Sequence, residues 1–142
     1  MKQLILIDRE FGAGGMTIGA LLAERLKWKL FDDELSQEVA RLAKIPVEVC
    51  RRHEERKDIL SIFLYAPRDL KYHRILKRVG NEREALEMLD SQDDDRRKFV
   101  KHYFGHEWPQ RELFHAMINT AIGDDKTVDE ILHLLETLNR KA

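Results

Sequence analysis

Leu4-Ile5-Leu6-Ile7-Asp8-Arg9-Glu10-Phe11-Gly12-Ala13-Gly14-Gly15-Met16-Thr17-Ile18 decides how the chain begins to fold. Leu4 to Ile7 is a continuous apolar run, too short for a helix and suited to a strand buried on both faces of a parallel sheet. Phe11-Gly12-Ala13-Gly14-Gly15 follows, and Ile18, Leu21, Leu22 and Leu26 then recur at helical spacing to about Lys27. Strand, glycine loop and helix in that order can bind phosphate: N–H groups of the loop converge on phosphate oxygens, and the helix dipole favours their charge. A tight turn that needs glycine for its backbone alone has the same sequence. The Walker pattern asks for Gly, four residues, Gly-Lys and Ser or Thr; alignment on Gly15-Met16-Thr17 puts Glu10 at the first Gly and Met16 at the Lys.

Further along, Leu30-Phe31 suits a brief second strand, Asp32 or Asp33 can cap a helix carrying Leu35, Val39, Leu42 and Ala43, and Pro46 suits the first turn of a short helix toward His53. The β-branched and aromatic run 59–66 predicts a strand stopped by Pro67, and 68–79 predicts a helix ended by Gly80. Asn81 caps a long polar helix with Leu86, Leu89, Phe99, Val100 and Tyr103 on its apolar stripe; Asp93-Asp94-Asp95 is expected to interrupt it and Gly105 to end it. Residues 113–118 predict a last strand, and Thr127-Val128-Asp129-Glu130 is a capping box opening a final helix with Val128, Ile131, Leu132, Leu135 and Leu138. Strands alternating with helices predict an α/β sandwich with a mainly parallel sheet.

At 142 residues the chain has the size of one domain, and 43% apolar with 36% charged residues suits a packed core with a solvated surface. Lys plus Arg number 25 against 26 Asp plus Glu, a net charge of −1, so no whole-surface field attracts nucleic acid and any anion site must be local. No apolar run approaches the ~20 residues of a membrane helix, and the opening apolar run is too short for a signal-peptide core. Neither a nucleic-acid nor a membrane partner is expected. Cys50 is the lone cysteine, which excludes an internal disulfide and fits a cytoplasmic protein. Cys50-x-x-His53 with His102-x-x-x-His106 makes a poor zinc set, better read as solvated helix residues.

Several segments carry a family likeness. Asp8-Arg9-Glu10-Phe11-Gly12-Ala13-Gly14-Gly15 resembles the opening of the cytidylate kinase-like family of P-loop nucleotide kinases, which characteristically read Arg-Glu-Phe-Gly-Ser-Gly-Gly. Phe31-Asp32-Asp33-Glu34-Leu35 is similar to the family's aromatic-Asp-x-Glu-Leu turn, and Ile62-Phe63-Leu64-Tyr65-Ala66-Pro67 with the basic helix after it is similar to its strand before the lid. Asp94-Asp95-Arg96-Arg97-Lys98-Phe99-Val100-Lys101-His102-Tyr103-Phe104-Gly105 is similar to its Asp-x-Arg-Arg stretch leading to Tyr-aromatic-Gly. The resemblance implies a three-layer P-loop NTPase-like sandwich, reduced in strand number, in a single domain over 1–142 with a lid-like region at about 80–112.

It also implies a nucleotide-binding protein that uses ATP and Mg²⁺ to transfer the γ-phosphoryl group to CMP or a related monophosphate. Such a transfer needs positioning and charge neutralisation more than covalent participation, and planar guanidinium groups suit it. By the resemblance, Gly12, Ala13, Gly14, Gly15, Met16 and Thr17 cradle the donor phosphates, Thr17 reaches Mg²⁺, and Arg9 is a further candidate. Arg96 and Arg97 are the lid arginines, Asp94 is their orienting carboxylate, and Lys71 and Arg74 are basic groups on the helix after the strand.

Blander readings stand beside these: Arg68, Lys71, Arg74, Lys77 and Arg78 also suit a solvated basic face and 93–97 a surface ion-pair cluster, while Trp108, Tyr103 and Phe104, near His102 and Lys101, suit stacking on a base and equally core packing or a lid hinge. Met16 brings no cation to the Walker lysine position, and Ser91 falls where the family carries a further basic lid residue. The family's acceptor-binding segment, with a central strand, is missing near 56–59. These departures define the alternative: a degenerate, catalytically weak nucleotide-binding or regulatory module, or a homodimer formed through the sheet edge that the lost strand leaves open.

Overall fold

A computed structural model of the chain describes residues 1–30 and 59–140. Along the chain come β1 (Leu4–Arg9), α1 (Gly15–Leu26), β2 (Ile59–Tyr65), α2 (Arg68–Val79), α3 (Glu82–Phe104), β3 (Ala116–Asn119) and α4 (Asp124–Arg140), with single 3₁₀ turns at Arg111–Leu113 and Thr120–Ile122. The strands lie in the order β1-β2-β3 and both ladders are parallel, Leu4 to Arg9 facing Ile59 to Leu64 and Ile62 to Tyr65 facing Ala116 to Asn119. This is the α/β architecture expected from the sequence, with a sheet of three strands among the described residues.

β2 is the central strand and is buried up to Tyr65, whereas β1 is only partly buried. The two-residue period of a strand divides the β2 run between two faces. Leu60, Ile62 and Leu64 join Ala13, Ile18 and Leu22 from the loop and α1, and Val128, Ile131 and Leu135 from α4. Phe63 packs instead on Trp108 and Phe114, with ring centroids 5.7 and 5.3 Å away. Each fully buried Leu, Ile or Phe contributes roughly 1.5–3 kcal/mol, so β2 anchors the domain. A second cluster of Ile75, Ala85 and Leu89 clamps α2 to α3, and Phe11 packs into it, carrying the glycine loop along.

Three boundaries differ from the sequence reading. The acidic run 93–95 does not interrupt α3, because Asp93 faces Lys71 and Asp94 faces Lys98 one turn on. The last strand starts later than expected: Arg111–Leu113 form a 3₁₀ turn, and His115 N donates to Ser61 O (2.9 Å) just before β3 begins. α4 begins at Asp124, not at Thr127; the Thr127 hydroxyl donates to Gly123 O (2.7 Å) from inside the first turn, where Asp124 and Asp125 also suit the helix dipole. The elements expected at 32–56, with Cys50 and His53, lie outside the described residues, as does Phe31 of the brief second strand.

Asn81 caps α3 as expected, its side-chain oxygen accepting from Glu84 N at 3.0 Å. Asn81→Ala is expected to lower stability by about 1 kcal/mol and Asn81→Ser to change it little, read from urea midpoints.

Candidate functional site

Glu10 N donates to Leu64 O (3.0 Å), carrying the β1–β2 ladder one residue past the strand, and Ala13 N donates to Glu10 O (3.2 Å) to close the turn. Gly14 then caps α1 at φ +90°, a left-handed conformation that costs a side-chain-bearing residue on the order of 1–2 kcal/mol. Among the described residues no side chain caps this helix and no acid lies in its first turn, so its own first turn does not offset the positive end of its dipole. Two arginines lie across it. A Cβ placed on Gly14 would come within 2.0 Å of Arg74 Nη1, and one on Gly15 within 1.8 Å of Arg9 Cδ. Glycine at 14 and 15 is therefore what lets two guanidinium side chains reach the start of α1. Ala13 is buried in the core, while Met16 and Thr17 are exposed in the first turn.

The remaining cations differ in their partners. Arg74 Nη2 lies 2.7 Å from Asp124 Oδ1. Arg9 has no carboxylate partner among the described residues. Lys71 is withdrawn from the loop surface, its Nζ 3.3 Å from Glu10 Oε1 and 3.5 Å from Asp93 Oδ2. Arg96 sits at the end of β1, with Nη2 3.2 Å from Asp8 Oδ1 and its guanidinium 5.5 Å from the Trp108 ring centre. Trp108 Nε1 donates to the other Asp8 oxygen at 2.9 Å. Arg97 lies 3.5 Å from Asp94. Arg68 pairs with Asp90 and Arg78 lies over the Phe11 ring, so the basic side of α2 is engaged with its neighbours and not uniformly solvated.

The structure thus gathers Arg9, Gly14, Gly15 and Arg74 at one point, with Met16 and Thr17 beside it, sets Gly12 against α2, and carries Asp94, Arg96 and Arg97 on α3. Asp8, Asp93, Trp108 and Asp124 hold these cations or the loop; the first three stand in stretches the sequence singles out, but nothing local names their partners, and Asp124 has no local signal at all. Trp108 is buried on Phe63, so it is a packing residue, whereas Tyr103 is exposed.

Asp94 also accepts from Lys98, 2.9 Å away. That hydrogen bond, then the Lys98 charge and that of Arg97, hold the Asp94 carboxyl below its usual pKa, and Asp94 in turn raises Lys98. A lowered carboxyl pKa means the attraction is complete at neutral pH and fades as pH falls through that value. Lys98→Met is expected to move the Asp94 titration to higher pH in an NMR pH series; an unchanged midpoint would show that Lys98 is not its main partner.

Chemically, the loop offers backbone donors, a helix dipole and two guanidinium groups to one ligand, an arrangement for a polyanion. Among the described residues no group of three or more His, Cys, Asp or Glu is placed to hold a metal, and no helix is long and apolar enough to cross a membrane.

Comparison with known proteins bears on the family and the fold. The model of the cytidylate kinase-like family matches residues 4–59 and 54–122, two pieces that meet at 54–59. A crystal structure of an uncharacterized protein from Eubacterium ventriosum superposes with a TM-score of 0.76 at 23% identity, over 95% of this chain and 99% of that one. Deoxyadenosine kinase from M. mycoides, solved with bound dCTP, superposes with a TM-score of 0.52 at 16% identity, over 95% of this chain and 100% of that one. No curated protein matches the chain.

Proposed function

The chain belongs to the cytidylate kinase-like family, and from that premise we propose that it binds the phosphates of ATP at Gly12, Ala13, Gly14, Gly15, Met16 and Thr17 and, with Mg²⁺, transfers the γ-phosphoryl group to CMP or a related nucleoside monophosphate. The observation that carries this reading is the pair of arginines, Arg9 and Arg74, laid across Gly14 and Gly15 at the start of α1. They supply the positive charge that Met16 cannot.

The residues fit the ligand. Gly14 and Gly15 bring no side chain of their own to the start of α1, which leaves room there for Arg9 and Arg74, and its first-turn N–H groups suit phosphate oxygens. Thr17 offers one exposed hydroxyl in that turn, enough for Mg²⁺, which takes few protein ligands and completes its shell with water and phosphate oxygens. Mg²⁺, when bound, neutralises charge on the transferring phosphoryl group. Arg74 serves as the fixed clamp, oriented by Asp124. Arg96 and Arg97 serve as the lid arginines on α3, Arg96 exchanging the Asp8 carboxylate for a phosphate and Arg97 being oriented by Asp94. The cytoplasm, which holds ATP and keeps Cys50 reduced, is the proposed place of action.

A second reading, a regulatory module that binds nucleotide without transferring phosphate, is favoured by one observation. The two pieces of the family match meet at 54–59, where the sequence reading places the missing acceptor-binding segment. Titration of ATP, CTP and CMP with and without Mg²⁺, followed by a coupled phosphotransfer assay, separates the two. The kinase reading expects Mg²⁺-dependent ATP binding and turnover on a monophosphate. Tight ATP binding without turnover on any monophosphate leaves the module, and no nucleotide binding at all rejects both.

A further inference from the structure

We propose that Asp93 is the positioning residue that fixes the phosphate loop to α3, and that Lys71 is the bridge holding it there and not a phosphate ligand; the inference rests on the loop being the nucleotide site. Asp93 lies at the middle of α3, and its two oxygens do different things. Oδ1 accepts from Phe11 N at 2.7 Å, at the start of the glycine turn, and Oδ2 faces Lys71 Nζ at 3.5 Å. On its other side Lys71 faces Glu10 Oε1 at 3.3 Å, and that oxygen accepts from Ala66 N at 3.1 Å, just before α2. One charge set therefore holds the backbone of the loop, the entry to α2 and the middle of α3. The Lys71 and Asp93 side chains are only 12% and 13% exposed, so water does little to screen them.

The chemistry makes Lys71 necessary without any contact to ligand. Removing a buried cation from between two carboxylates leaves uncompensated like charges that repel. Asp93 then turns outward and Phe11 N loses its acceptor. The loop has little room to take up the change by sliding toward α2, because even a Cβ on Gly12 would meet the Lys71 carbonyl at 3.0 Å and the Ile75 side chain at 3.2 Å. Asp94, Arg96 and Arg97 follow Asp93 on the same helix, so the residue that holds the loop also sets where those side chains stand. Coupling of this kind runs through packed, charged contacts that do not touch the ligand.

The test pairs Lys71→Met with Lys71→Met/Glu10→Gln, which removes one leftover charge and keeps an oxygen for Ala66 N. By calorimetric titration with Mg²⁺-ATP, Lys71→Met is expected to weaken binding about tenfold and the double variant to return within about threefold of the parent. A double variant as weak as the single makes Lys71 a ligand and overturns the proposal. Without nucleotide, hydrogen exchange at the Phe11 amide is expected to speed up in Lys71→Met and to slow again in the double variant; parental exchange in Lys71→Met overturns it as well. Should Lys71→Met not fold, Asp93→Asn replaces it: it keeps an oxygen for Phe11 N but loses the charge, with about threefold weaker binding and faster Phe11 exchange expected, and parental values in both overturning the idea. A parent chain that binds no ATP rejects the nucleotide reading instead, and the exchange measurement still decides whether Lys71 holds Asp93 on Phe11.

Discussion

Gly14→Val is expected to abolish ATP binding while leaving the chain folded. Two costs meet at this position and fall on different quantities. The backbone at φ +90° is strained for any β-carbon, on the order of 1–2 kcal/mol, and that is felt by stability. The new side chain also needs the space held by Arg74, whose Nη1 would be 2.0 Å from the Cβ. That contact is with the far end of a flexible side chain, so Arg74 swings away and stability loses only a part-exposed ion pair with Asp124. Binding loses far more: the clamp arginine is displaced and a β-branched side chain stands over the first-turn N–H groups. Charge-assisted hydrogen bonds contribute roughly 1.5–3 kcal/mol each, so losing two lowers affinity at least about 100-fold.

Gly80→Val is the matched control, because Gly80 also has a left-handed backbone, φ +69°, but a Cβ there meets nothing within 4 Å. Both variants are expected to melt a few degrees below the parent, and only Gly14→Val to lose ATP by calorimetry. Retained binding in Gly14→Val, or equal loss in Gly80→Val, would place the nucleotide elsewhere.

What was legible in the sequence divides along the range of the interactions. β2, α2 and the start of α3 could be read directly because their signals are local: an apolar β-branched run, a proline stop, and glycine and asparagine caps at Gly80 and Asn81. Where two local signals compete, packing decides. Thr127 has the spacing of a cap, yet it bonds back to Gly123 because Asp124 and Asp125 already open the helix. The acidic run at 93–95 reads as a breaker only while its cations are unseen, and Lys71 lies on another helix.

The site shows the same division more sharply. The glycines and Arg9 are adjacent in sequence, so the loop could be recognised. The groups that hold it in place are remote: Asp124 is 50 residues from Arg74, Asp93 is 82 from Phe11 and Trp108 is 100 from Asp8. No spacing rule joins residues so far apart. For Lys71 the sequence shows only a basic residue at helical spacing, and its burial between Glu10 and Asp93 becomes visible when three elements are folded together.

Phe63→Ala is expected to cost about 3–5 kcal/mol, out of the roughly 5–15 kcal/mol that stabilises an ordinary domain. The side chain is 1% exposed on the central strand, and removing it opens a cavity between Trp108 and Phe114. The consequence reaches further than stability. Trp108 is held on one side by the Phe63 ring and on the other by its hydrogen bond to Asp8, and Arg96 lies over its face. With the ring gone, Trp108 settles into the cavity and both Asp8 and Arg96 lose a neighbour. Ile62→Ala is the informative comparison: it costs a similar 2–5 kcal/mol, but Ile62 packs with α1 and α4 on the opposite face of the sheet. In a Trp28→Phe background, which leaves Trp108 as the only tryptophan, denaturant unfolding is expected to show large losses for both variants. The emission of folded Trp108 is expected to shift in Phe63→Ala alone. An equal shift in Ile62→Ala would mean that the lost packing spreads through the whole sheet and does not pass along the Phe63–Trp108–Asp8 line to the end of β1, where Arg9 begins the loop.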